Sequence, residues 1–268
     1  MTGPARGPVE GYVDLGDDHI HYFDEGTGAP VLLIHGAFGS GARILQTEFG
    51  RSLVRNRRVI APDSLAHGCS GAPPDPRHYG PRRRAAHLAG VLDCLGIARA
   101  HVVGYSMGGW MASALATFYP DRIASLAIGG WDVVEGMYTP AAVWGLPEIT
   151  YPILSAMIRR DRPELLAGLH PDREAGLAAA IDGMNDLAGL ADGVAACPAP
   201  VALWVGQEDL YHEASRRFAE ARGFSFISLP GDHMATLETH GAEASRRVGL
   251  FIDQTAVSPN PTHRANRG

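Results

Sequence analysis

Ser106 stands in Gly104-Tyr105-Ser106-Met107-Gly108, between an apolar run at 100–103 and a stretch with helical spacing at 110–119. A serine hydroxyl is a weak nucleophile near neutral pH and needs a base to take its proton. That base is most often a histidine, itself oriented by a carboxylate. A G-x-S-x-G turn between strand and helix strains the serine backbone and projects Oγ above the sheet edge. Gly104 and Gly108 leave room for the neighbouring strand and helix. The helix that starts here directs its free N–H groups and positive end at the serine, which suits a developing oxyanion. Two later residues supply an acid and a base. Asp209 closes Gly206-Gln207-Glu208-Asp209, His233 closes Pro230-Gly231-Asp232-His233, and each lies just past an apolar, strand-like run. Singly, each of the three has a plainer reading: Ser106 or Asp209 as a helix cap, His233 as a loop histidine. Together their types point to nucleophilic attack on a carbonyl.

Residues so far apart meet only if a sheet presents them. The pattern predicts two antiparallel strands over 11–15 and 19–24, with His19 and His21 sharing a half-exposed face. Buried strands follow at 31–34, 59–61, 100–103, 123–128, 201–205 and 224–229. Helices are expected over 41–54, 79–95, 110–119, 212–222 and 242–252. Alternating strands and helices, with runs apolar on both faces, mean a mostly parallel eight-stranded α/β sheet covered by helices on both sides. In such sheets the site lies at the carboxyl ends of the strands, where His35, Asp63, Ser106 and the segment 129–132 fall. The strand pattern stops from 131 to 197. Helical spacing over 149–159 and 171–190 makes this a helical cap inserted between two parts of one core, 1–130 and 198–255. Phe38 in the core, and Trp131, Met137, Tyr138 and Trp144 in the cap, are the candidate substrate contacts. Residues 256–268, rich in Pro, Asn, Thr and Arg, are expected to be a disordered tail.

Composition narrows the partners. The chain has 268 residues, 46% hydrophobic and 19% charged, with a net charge of −6. Its basic residues are all arginine and form no long cluster, so nothing favours nucleic acid or an acidic membrane surface. Three scattered cysteines without C-x-x-C spacing suit a reduced protein. No signal-peptide core or membrane-length apolar run is present, so a cytoplasmic location is expected. The donor pattern calls for no metal and no cofactor. The expected partner is a small-molecule substrate, and monomer and homodimer both stay open.

From 12 to 252 the chain resembles the α/β-hydrolase superfamily. His35-Gly36 looks like its oxyanion loop, and the run from Asp63 to Ser70 is similar to its D-x-x-G-H-G-x-S loop, with Ala66 in place of the first glycine. The order Ser106, Asp209, His233 is that of the superfamily's triad. The resemblance implies an oxyanion hole from the N–H groups of Met107 and Ala37, with Phe38 as the alternative to Ala37. Asp132 is the alternative acid, and His35 and His67 hold loops. A serine nucleophile removes most support for dehalogenase and alkyl-intermediate epoxide hydrolase chemistry. Acyl transfer to water from an ester, thioester or lactone is favoured. Relatives with the same triad also hydrolyse carbon–carbon bonds, eliminate or perhydrolyse. Arg159, Arg160 and Arg162 are candidates to meet an acidic substrate. A ligand receptor on the same fold is the alternative of another class.

Overall fold

The structure, a computed structural model, describes residues 8–167 and 169–257. Along the chain run β1 (Val9–Leu15), β2 (Asp18–Glu25), β3 (Pro30–Ile34), α1 (Gly41–Gln46), α2 (Glu48–Val54), β4 (Arg58–Pro62), α3 (Pro81–Cys94), β5 (Ala100–Tyr105), α4 (Met107–Phe118) and β6 (Ile123–Gly129). The insertion carries α5 (Tyr138–Val143), α6 (Tyr151–Asp161), α7 (Pro171–Asp182) and α8 (Leu190–Ala195). The core closes with β7 (Val201–Gly206), α9 (His212–Arg222), β8 (Ser225–Leu229), α10 (Ala235–Glu238) and α11 (Gly241–Val257). The expected tail, 256–268, lies outside the described residues from 258 onward; 256 and 257 still belong to α11.

The eight strands form one sheet in the order β1-β2-β4-β3-β5-β6-β7-β8. The β1–β2 and β2–β4 pairs are antiparallel and the others parallel. Strand side chains alternate between faces, and the two apolar cores sort accordingly. Val31, Leu33, Val103 and Trp204 pack with residues of α1, α2 and α11. Leu32, Ile34, Val102 and Leu203 pack with α3, α4 and α9. The second core runs on into residues 131–197 through Ile149, Leu177, Ile181 and Leu190, so these helices share its apolar interior.

Two predicted helices are each broken. Within 41–54, Thr47 stops α1 by giving its N–H to Ile44 O (3.2 Å) and starts α2 by taking Gly50 N–H on Oγ1 (3.1 Å). Within 171–190, α7 ends at Asp182, whose carboxylate caps α6 through Tyr151 N–H (2.7 Å). Gly183 then lies against Tyr79, where a Cβ would sit 2.9 Å from a carbonyl oxygen. His21 corrects the half-exposed expectation: it is buried, because loop 63–71 folds over β2 and binds its backbone.

Candidate active site

The turn between β5 and α4 holds Ser106 at φ 57°, ψ −120°, a region costly for any residue with a Cβ. Neighbouring backbones impose it. A Cβ on Gly104 would lie 2.1 Å from Gly108 O, and one on Gly108 would lie 2.1 Å from Ile34 O. Only glycine fits at both points. Ser106 N–H is anchored on Gly129 O (2.8 Å), and Ser106 O receives Gly109 and Trp110 N–H. The N–H groups of Met107 and Gly108 thus precede the helical ladder, as the first groups of any helix do.

The loop after β3 faces this turn. His35 Nδ1 donates to Gly36 O (2.7 Å) and its Nε2 accepts Ser64 N–H (3.0 Å), which ties the loop to that after β4. Burial holds the His35 and His67 imidazoles below their ordinary pKa, so both serve as neutral struts. Phe38 also has a positive φ, 58°. Asp63 is spent on structure: Oδ1 takes Gly41 N–H (2.6 Å), and Oδ2 takes Cys69 N–H (2.8 Å) and pairs with His21 (2.9 Å). His21, Asp63 and Cys69 place donor atoms within 4.8 Å of one another. With its oxygens already bonded, Asp63 acts as a loop staple.

Asp209 and His233 come together beyond β7 and β8. His233 Nδ1 lies 2.8 Å from Asp209 Oδ2, and Tyr211 N–H (3.0 Å) steadies the other carboxylate oxygen. The Asp209 side chain is fully shielded, while that of His233 is one-third exposed. With Nδ1–H donated to the carboxylate, Nε2 is left as an acceptor. Ser106, Asp209 and His233 border one cavity of about 730 Å³. Among the described residues no hydrogen bond joins Ser106 Oγ to His233; in free enzymes such contacts are often loose and tighten with substrate. Asp132, the alternative acid, is buried and does not line the cavity. It receives Val134 N–H (2.9 Å) and the Thr139 hydroxyl (2.6 Å), and so organises the start of the cap.

Of the expected substrate contacts, Phe38, Met137 and Trp144 line the cavity, as does Ala37. Trp131 and Tyr138 do not. Trp131 is 1% exposed and packs against the Tyr211 ring at 5.8 Å, so it is core beneath the cap. Tyr138 is exposed on the cap surface outside the cavity wall. Arg159 and Arg160 are bound to Glu174 and Asp161, and Arg162 bridges Glu164 and Glu238 (2.6 and 2.7 Å). None of the three borders the cavity. Among the described residues Arg43 is the only arginine that does, against the carboxylates of Asp161, Glu208, Asp232 and Glu238. Leu154, Ile158 and Leu165 add apolar wall from the cap. Sequence reasoning missed Tyr105 and Tyr211, whose rings stand 5.2 and 5.7 Å from that of His233. Their only signal was aromatic character beside Ser106 and Asp209.

Residues 29–151 match the family described as alpha/beta hydrolase fold. With this sheet order, the chain has the α/β-hydrolase fold. The 2-hydroxymuconate semialdehyde hydrolase of Pseudomonas putida is 37% identical over 154 residues, 54% of this chain and 52% of that protein. The chain therefore spans about half the length of that curated relative. A thermophilic esterase from Thermogutta terrifontis has a TM-score of 0.73 at 24% identity, covering 93% of this chain and 99% of its own. An N-acyl homoserine lactonase variant complexed with N-hexanoyl homoserine has a TM-score of 0.69 at 25% identity, covering 94% and 99%. No described helix is long and apolar enough to cross a membrane.

Proposed function

We propose that this protein is a serine hydrolase that cleaves a neutral, largely apolar ester, thioester or lactone through an acyl-enzyme. The observation that carries the reading is the Asp209–His233 pair opening into the cavity that Ser106 borders from its strained turn. Ser106 Oγ attacks the carbonyl carbon while His233 Nε2 takes its proton. The oxyanion forms between the N–H groups of Met107 and Ala37, backbone donors that cost no reorganisation when the charge develops. His233 then protonates the leaving alkoxide, which departs as the alcohol. A water molecule, deprotonated by the same nitrogen, attacks the acyl carbon, and the acid leaves as Ser106 is restored.

The wall argues for a neutral acyl part. Its apolar side chains bind the non-reacting portion and exclude water, and its carboxylates outnumber its single arginine. Three cysteines, none in a disulfide, support a reducing compartment, the cytoplasm. A second reading, hydrolysis of a carbon–carbon bond in an acidic dienoate, is favoured by the name of the Pseudomonas putida relative.

The test is kcat/KM over neutral esters and lactones beside 2-hydroxymuconate semialdehyde, with fluorophosphonate labelling mapped to a peptide. Neutral esters as the better substrates, with label on Ser106, support the first reading. Faster turnover of the semialdehyde moves the assignment to carbon–carbon cleavage. No turnover and no label leaves the receptor alternative.

A further inference from the structure

Resting on the serine-hydrolase reading, we infer that Tyr105 is a positioning residue that ties the backbone of the general base to the strand carrying the nucleophile. Tyr105 is the last residue of β5 and Ser106 follows it directly. Its hydroxyl donates to the carbonyl oxygen of His233 at 2.6 Å, a bond spanning 128 residues of chain. Asp209 holds the imidazole by Nδ1; Tyr105 holds the main chain of the same residue. Two points of attachment fix both the ring and the loop that bears it.

The surroundings are shaped for this contact. The Tyr105 and His233 rings lie 5.2 Å apart and are inclined by 33°. Gly130, at φ +52°, closes the gap beside both: a Cβ there would lie 2.8 Å from Tyr105 Cζ and 3.1 Å from His233 Cε1. Tyr105 is 3% exposed, and a buried hydroxyl needs a partner. Burial also raises its pKa well above the ordinary tyrosine value, so it stays a donor over the whole working range. A phenylalanine would fill the same space. What the hydroxyl adds is a tether between nucleophile and base, which is where sub-ångström placement governs rate.

Tyr105→Phe removes that tether, together with the weaker interaction of the hydroxyl with Thr236, and keeps the ring. The expected result is a kcat lower by about 10- to 100-fold with KM changed by less than about twofold. Fluorophosphonate labelling of Ser106 should slow by a similar factor. In a His233→Ala background the same substitution should alter the residual rate by less than about twofold, because the group it positions is gone. Amide exchange in the segment 231–235 should accelerate. A kcat within about twofold of the unmodified protein, or an equal loss in the His233→Ala background, overturns the inference. If the unmodified protein neither turns over nor labels, the hydrolase reading fails by itself. Exchange then decides, and an unchanged rate over 231–235 overturns the tether. Should Tyr105→Phe not fold, Gly130→Ala presses on the same contact from the other side, and it should lower kcat while sparing KM; unchanged kcat there also overturns it.

Discussion

Ser106 occupies a conformation that costs of order 1–3 kcal/mol, held because Gly104 and Gly108 let three backbone segments close around it. Ser106→Ala should lower kcat by roughly 10⁴- to 10⁶-fold on any confirmed ester while the protein stays folded. Alanine keeps the strained φ, so Ser106→Gly should be the more stable of the two variants by about 1 kcal/mol in urea unfolding. A glycine variant less stable than the alanine one would remove strain from the account. The two carboxylates separate just as clearly. Asp209→Asn should cost about 10⁴-fold in kcat, because an amide no longer selects the productive His233 tautomer. Asp132→Asn should leave kcat within about tenfold but lower stability by about 1 kcal/mol, since the amide keeps one acceptor oxygen where the carboxylate offers two, to the Val134 N–H and the Thr139 hydroxyl. Kinetics and urea midpoints on both variants decide, and a reversed ranking would transfer the acid to the end of β6.

At the scale of elements, the question is what the cap does. Trp144, 41% exposed, closes α5 at the mouth of the cavity, whereas Trp131 is wholly buried at its root. Trp144→Ala should change the ranking of esters by acyl size by roughly 10- to 200-fold, the worth of about one methylene in an apolar pocket. Fluorophosphonate labelling should survive it. Trp131→Ala should instead lower stability by about 3–5 kcal/mol and affect all esters alike. Measuring kcat/KM over an acyl series beside a urea midpoint separates the two. Equal behaviour of the variants would mean that the cap wall is not selective. The Arg162–Glu238 bridge joins cap to histidine loop but is partly exposed, so breaking it should change stability by less than about 1 kcal/mol.

For the whole molecule, acid sensitivity follows from its buried imidazoles. Burial lowers the pKa of His35, His67, His87 and His101. Between the unfolded value, 6.5, and each lower folded value, the unfolded chain binds more protons, so stability is full above 6.5 and declines as pH falls below it. Asp18 acts in the same direction at lower pH. Hydrogen bonds from His87, Arg83 and His78 outweigh its burial and hold its carboxyl well below the usual range. Its contribution is present above the unfolded value, 3.8, and is lost as pH falls through the folded one. Urea midpoints at pH 7.5, 6 and 5 should therefore fall steadily. A flat profile would mean that these histidines are not held neutral by the fold.

The elbow, the strand–helix alternation and the order of Ser106, Asp209 and His233 were legible in the sequence because each depends on near neighbours. Glycine spacing sets a turn, apolar period sets an element, and an acid or base just past a strand lands at the sheet's carboxyl edge. The break at Thr47 is local, a side chain that caps one helix while ending another and leaves apolar periodicity undisturbed; the break at Gly183 is not, because Asp182 and Gly183 meet Tyr151 and Tyr79 from other segments. Tertiary structure alone decided the rest. Trp131 and Trp144 are the same residue type thirteen positions apart in one insertion, and only the packing of the cap on the core makes one a strut and the other a lip. The arginines at 159, 160 and 162 look available until Glu174, Asp161, Glu164 and Glu238 are brought beside them. The bond from Tyr105 to His233 joins residues 128 positions apart. Contacts of that kind depend on how the sheet gathers segments remote in sequence, a distance that no spacing within a segment encodes.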